Sequence, residues 1–380
     1  MKILAVDIGT GTQDILLFDS RLDIENSYKL ILPAPTMIIH RRLQAATQAG
    51  QPVLLTGWTM GGGPSQWAAE AHAKAGLPIF ATPSAARSFN DDLNAVAQSG
   101  IQVISEDEIS RLPGDVLQIR MADFDFEAIC TALSAFGVGL SDLAAVAVAV
   151  FDHGNAPPDI SDRQFRFDYL DERIRSVNRL SAFAYHRDEI PPIMTRLQAV
   201  AQSAGDLPAP LIVMDTAPAA VLGATFDPHA SALSRLLIAN VGNFHTLAFR
   251  IGENGIEGVF EHHTGLLDLP RLENLLLGLA NSRLTHAEVF DEHGHGALIY
   301  NPEPFAIDPQ AGNLVVTGPR RGMMRPSTLK PYFAAPFGDM MITGCFGLLA
   351  AAADLLPDLK EPILSALGNP SGAGRPPWET

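Results

Sequence analysis

The sequence predicts an α/β protein built as two related lobes, and three observations carry that expectation. Apolar runs of strand length alternate with longer stretches of helical period, the pattern of sheets covered by helices. The chain has 380 residues, more than one ordinary domain needs. Two segments, within 2–19 and 235–251, share one plan of apolar run, polar glycine turn and apolar run, which suggests two lobes facing one ligand.

The elements follow in order. Residues 2–8 and 14–19 read as a β-hairpin around a Gly/Thr turn. A helix over 36–50, a strand over 51–56 and a glycine-rich turn over 58–64 lead into an alanine-rich helix over 65–76 and a strand over 77–81. Helices are expected over 91–99 and 124–136, then a buried strand over 144–151. Residues 155–192, rich in Pro, Arg, Asp and aromatics, lose periodicity and read as a lid or substrate loop. Order resumes with a helix over 193–204, a strand over 211–214, a short helix over 218–223 and paired strands over 235–240 and 246–251. A helix over 269–281, a strand over 313–317 and a long apolar helix over 342–355 complete the set, with a frayed Pro/Gly-rich tail over 368–380. No short fixed repeat supports a solenoid or propeller.

A hydrophobic fraction of 47% and a charged fraction of 18% describe a packed globular chain. Its formal net charge of −16 argues against nucleic acid or an anionic membrane as partner. No apolar run reaches the roughly 20 residues that span a bilayer, and the opening segment lacks a signal-peptide pattern, so a soluble cytoplasmic protein is expected. Only Cys130 and Cys345 are present, too few for a disulfide framework or a cysteine metal cluster.

The first constellation is the turn Asp7-Ile8-Gly9-Thr10-Gly11-Thr12-Gln13-Asp14. Gly9 and Gly11 let backbone approach a ligand, and successive N–H groups with the Thr10 and Thr12 hydroxyls suit an anion. Asp7, at the strand end, can reach a phosphate-bound Mg²⁺ through water. The second constellation is Asn240-Val241-Gly242-Asn243-Phe244-His245-Thr246, another strand, polar glycine turn and strand. Between and after them lie the small-residue run Asp215–Ala224, the segment Thr317-Gly318-Pro319-Arg320-Arg321, and Gly338–Ala350.

This ordered set resembles the actin, sugar-kinase and heat-shock ATPase superfamily: a first phosphate loop at Asp7–Asp14, a connecting helix at Asp215–Ala224, a second phosphate loop at Asn240–Thr246, an adenosine loop at Thr317–Arg321, and a second connecting helix at Gly338–Ala350. The resemblance implies two ribonuclease-H-like domains clamping ATP and Mg²⁺, with lobes at 1–225, completed by 338–367, and 226–337. It assigns Gly9, Thr10, Gly11, Thr12, Asn240, Gly242, Asn243, His245, Thr246, Gly318 and Arg320 to the nucleotide and its phosphates. Asn240 stands where this superfamily usually has an acidic residue and brings no charge to Mg²⁺. A small-metabolite kinase, an ATPase, a non-enzymatic regulator with a protein partner, and a hydrolase or ligase on the same fold therefore all stay open. More narrowly, the opening segment with GWTMGGGP and FDHGNAP is similar to a prokaryotic family labelled pyruvate formate-lyase-activating-enzyme-like. Such radical enzymes hold an iron–sulfur cluster with a Cys-x-x-x-Cys-x-x-Cys run, which this chain lacks, so no such cluster is expected.

Asp152 and His153 end the buried strand, where open α/β sheets present ligand-binding groups. Asp152 is the candidate general base, with His153 and Asn155 on the substrate side. Met60, Gly61, Gly62 and Gly63 form a substrate-side loop before a helix N-terminus suited to anions. The His-rich segments Glu261–Thr264 and Asp291–His295 read as solvated loops, because neither has the spacing of a metal-ligand signature.

Overall fold

The computed structural model describes residues 1–368 and Trp378; apart from Gly368 and Trp378, the expected frayed tail lies outside the described residues. Two six-stranded sheets share one topology. In the first, Lys2–Ile8, Thr12–Asp19 and Tyr28–Pro33 form an antiparallel meander. Leu143–Val150 then pairs parallel to Lys2–Ile8, and Leu211–Asp215 parallel to Leu143–Val150. In the second, Leu236–Val241, His245–Gly252 and Gly255–His263 make the meander, with Leu314–Thr317 and Tyr332–Phe333 added parallel on the other side. Numbered by chain order within each meander and its two parallel additions, both sheets read 3-2-1-4-5, with one further edge strand apiece, Ala184–His186 and Gly296–Ile299. That duplicated order is the ribonuclease-H-like arrangement of the actin-like ATPases, so the protein is α/β with two such domains and a cleft between them.

Between the third and fourth strands of the first sheet the chain inserts a third, four-stranded sheet, all parallel, of Val53–Gly57, Ile79–Ala81, Gln102–Val103 and Leu117–Met121. Sequence reading assigned two of these strands without separating them into a sheet of their own. The 155–192 segment is also more ordered than expected: it carries the helix Asp162–Ser176 and the edge strand Ala184–His186 rather than a loop. Its helix has mean polarity high enough to obscure the period, yet Arg166, Phe167, Leu170 and Ile174 are buried.

Side-chain size alternates along the central strand. In Leu143–Val150, sequence LAAVAVAV, the valines 146, 148 and 150 fill the core on one face. Ala145, Ala147 and Ala149 line the other, against the apolar helix Thr343–Leu355. Lys2–Ile8 repeats the pattern, Leu4 and Val6 on one side and Ile3 and Ala5 on the other. Period-two alternation thus sets the faces, and the methyl-only face lets a helix lie close.

That helix packs closely on Thr216–Ala224. A Cβ added at Gly223 would stand 1.8 Å from the Thr343 carbonyl oxygen, and one added at Gly347 would stand 1.9 Å from that of Ala219. The helices meet backbone to backbone, and neither neighbour is a side chain that can swing away. Asp215 starts the first of them by accepting the Ala217 N–H at 3.0 Å.

Gly223→Ala is expected to lower stability by about 2 kcal/mol or more, the scale of overpacking, while Gly139→Ala, at an exposed glycine with no neighbour within 4 Å, changes little. Urea unfolding midpoints of the two variants check this; equal midpoints would remove the crossing as a constraint.

Candidate functional site

The two hairpin turns occupy equivalent places in the duplicated sheets, each joining the first strand to the second. They close alike: the Gly9 N–H donates to Thr12 O at 3.0 Å and the Gly242 N–H to His245 O at 2.9 Å. They meet tip to tip, since a Cβ at Gly11 would lie 2.9 Å from Asn243 Nδ2. Around them runs a cleft of about 240 Å³ whose walls include Asp7, Gly9, Thr10, Gly11, Thr12, Gly61, Gly62, Gly63, His153, Asn240, Gly242, Asn243, His245 and Gly318. Residues read from five separate stretches of sequence therefore share one cleft. Thr216, Phe244 and Gly344, from the connecting helices and second turn singled out in the sequence, line it too, as do Thr36 and Arg196, which nothing local in the sequence marks.

On the floor, Asp7 and Asp14 are cross-strand partners. Asp7 accepts the Thr216 hydroxyl at 2.6 Å, while Asp14 Oδ1 is buried with no hydrogen-bond partner. Burial is the main cause that pushes Asp7 up to about 6, and burial with the Asp7 charge pushes Asp14 up to about 8. Two facing carboxylates short of donors are chemically suited to a hard divalent cation such as Mg²⁺.

The inserted sheet supplies the opposite wall through Gly61–Gly63. The Gly61 N–H points at the Asp123 carboxylate, 3.3 Å from each oxygen, and Asp123 in turn is bound by Arg196 at 2.6 and 3.0 Å. Gly63 has φ +55, and a Cβ there would meet the Phe244 ring at 2.6 Å, so the second hairpin presses on this loop. Met60 lies behind it, buried, with its N–H on Ser88 Oγ.

Asp152 departs from its expected role. It is buried and off the cleft wall; its carboxylate accepts the N–H groups of Gly154, Arg196 and Leu197, each at 2.9 Å. Two of these amides belong to the first turn of the helix Thr195–Ser203, so Asp152 anchors its start. Asn155 is exposed and off the wall, Thr246 is buried against the Thr264 hydroxyl at 2.9 Å, and Arg320 is exposed beyond Gly318.

The first His-rich segment is not a solvated loop, and the second is exposed only over Asp291–His293. Glu261 and His262 are buried near the end of the strand Gly255–His263, and His295 is buried just before Gly296–Ile299. His295 forms a cluster with His153, His245 and His263, with ring centroids 4.7 Å apart for His263 and His295, 5.1 Å for His245 and His295, and 5.9 Å for His153 and His295. Burial holds His153 down to about 3 and lowers His245 and His295 as well, which disfavours a charge on these rings. Beneath them Arg166, fully buried, donates to Glu261 at 2.7 Å, to Asp215 at 2.6 Å and to the Asp152 carbonyl at 2.8 Å. Its guanidinium lies 4.0 Å from the centre of Phe151, whose ring also stacks on His245 at 4.1 Å and meets His153 edge-on at 4.7 Å. One arginine thus joins both lobes.

The family profile described as "Putative pyruvate format-lyase activating enzyme (DUF1786)" matches residues 60–323, more than half of the chain. The chain belongs to this family. No curated protein matches by sequence. Among solved structures, the activator of 2-hydroxyisocaproyl-CoA dehydratase from Clostridium difficile, with bound ADPNP, is 10% identical with a TM-score of 0.34, covering 95% of this chain and 98% of its own. The ethanolamine utilization protein EutJ from Carboxydothermus hydrogenoformans is 13% identical, TM-score 0.31, over 92% of this chain and 89% of its own. The ROK hexokinase from Thermus thermophilus is 11% identical, TM-score 0.23, over 99% and 90%. Among the described residues of this family member, no helix is long and apolar enough to cross a membrane.

Two outcomes are expected. Arg166→Met strands Glu261 and Asp215 as buried charges and should cost about 3–5 kcal/mol in urea unfolding; an unchanged midpoint would show that the network contributes nothing. Because Asp7 and Asp14 titrate higher folded than unfolded, the stability they contribute is full below about pH 4 and is lost as pH rises through about 6 and 8. In metal-free protein, the melting temperature of wild type minus that of Asp14→Asn should therefore fall between pH 5 and pH 8.5; a flat difference would contradict the raised values.

Proposed function

We propose that this family member binds a nucleoside triphosphate with Mg²⁺ in the cleft, the phosphates lying between the Gly9–Thr12 and Gly242–His245 turns, as an ATPase or ATP-dependent phosphotransferase. The observation that carries the reading is the pair of equivalent glycine turns, brought tip to tip by two sheets of one topology. Such turns present backbone N–H groups to an anion, and phosphoryl transfer asks a protein mainly for positioning and charge stabilisation. Asp7 and Asp14 would hold the Mg²⁺, which when bound would neutralise charge on the phosphate oxygens. Thr216 orients Asp7, and Gly318, over Asn240, supports the base side of the cleft. We place the lobes at 1–225 with 338–367, and at 226–337.

At about 240 Å³ the cleft is below the ~300–1,000 Å³ usual for small-molecule pockets. A whole nucleotide thus requires the lobes to part, and the Gly223–Gly347 crossing is the natural hinge. A second reading, a nucleotide-responsive regulator acting through that motion, is favoured by Asn240 and by Asp152, whose carboxylate is engaged by backbone amides. The radical chemistry in the family's description is not supported by this chain's cysteines: three thiolates are needed, and only Cys130 and Cys345 are present.

Calorimetric titration of ATP and ADP with and without Mg²⁺ tests the reading. Saturable, Mg²⁺-dependent binding, weakened about tenfold or more in Asp7→Ala, a loss of about 1.4 kcal/mol, is expected; absence of binding by either nucleotide would overturn it. Phosphate release without acceptor then marks an ATPase, ADP with a phosphorylated metabolite a kinase, and binding without turnover the regulator.

A further inference from the structure

We infer that His153, His245 and His295 form a binding site for a divalent transition metal ion such as Zn²⁺, with an open coordination position facing the cleft. Among the described residues, one nitrogen of each ring lies within 4.8 Å of the other two. Three nitrogens around one tetrahedral ion at ~2.1 Å stand about 3.4 Å apart, a closure that modest ring rotations supply.

Hydrogen bonding gives the independent argument. His295 is fully buried and both its nitrogens lack a partner, as does His245 Nε2. Buried polar atoms are almost always satisfied, so several orphaned on one small cluster mark a missing ligand. The surroundings suit a cation. Glu261 Oε1, also unpartnered, lies 3.6 Å from His295 Nδ1, placed to fix that ring and leave Nε2 for an ion, as carboxylates behind metal-bound histidines do. The nearby Arg166 charge is itself engaged by two carboxylates, Asp215 and Glu261. Phe151 stacked on His245 holds the second ring in place.

The donor set also separates this site from Asp7 and Asp14. Three imidazoles select zinc, copper, nickel or iron over Mg²⁺, which takes oxygen ligands. Three protein ligands leave a fourth position for water or an anion, the pattern of catalytic rather than structural zinc. His153 and His245 line the cleft while His295 lies behind, so that position opens toward the hairpin turns. His153 follows a first-lobe strand and the other two flank second-lobe strands, so an ion would also pin the lobes together.

The test uses the whole chain, stripped with chelator, without nucleotide and in excess Mg²⁺, so it is independent of ATP binding. One equivalent of Zn²⁺ should bind by calorimetry and raise the melting temperature, and Co²⁺ should give the intense visible bands of a four-coordinate centre. His153→Ala, at a partly buried ring on the cleft wall, and His295→Asn should each weaken Zn²⁺ at least 100-fold, whereas His293→Ala, at an exposed neighbour of His295, should not. Weak binding with no visible Co²⁺ bands in wild type, or undiminished affinity in folded His153→Ala, would overturn the site.

Discussion

The molecule depends on the contact between the helices Thr216–Ala224 and Thr343–Leu355. Gly223 and Gly347 let two backbones touch where any Cβ would collide with a carbonyl. The same closeness brings Gly344 against the Asp7 carboxylate, with no room for a side chain between them. The helix crossing and the cleft floor are therefore one structure, and the position of Asp7 is set by packing on its own face of the sheet, the alanine face of Leu143–Val150.

A second constraint is electrostatic. Arg166 is buried by a helix of the first lobe yet bonds Glu261 of the second and Asp215 at the start of the connecting helix. A buried guanidinium must keep its partners, so the separation of the lobes is limited at this point by the cost of exposing or unpairing it. The histidine cluster sits directly above, held by Phe151 between Arg166 and His245.

The inserted parallel sheet adds a third boundary. Its glycine loop is fastened to the first lobe by Asp123 and Arg196 and touched by Phe244 from the second. Small residues at Gly61, Gly62 and Gly63 are a packing requirement here as much as an invitation to a ligand, because added Cβ atoms would meet Arg196, the Ser88 carbonyl and Phe244.

What the sequence determined alone was local and periodic: the glycine hairpins, the LAAVAVAV strand, the apolar helix over 342–355 and the α/β class, since strand and helix periods are properties of neighbouring residues. It also identified Asp7, Gly9, Asn240 and Gly318 as cleft residues through their turns. Only the tertiary structure decided what depends on distant partners. Asp152 looked like a base at a strand end and proved to be a helix anchor, because the amides that occupy it come from residues 154, 196 and 197. The helix carrying Arg166 was hidden because its buried charge, paired with residues 49 and 95 positions away, reads as a polar loop. His153, His245 and His295 have no ligand spacing in sequence; they converge because two sheets of the same topology face one another, and that arrangement is a property of the packed lobes rather than of any stretch of chain.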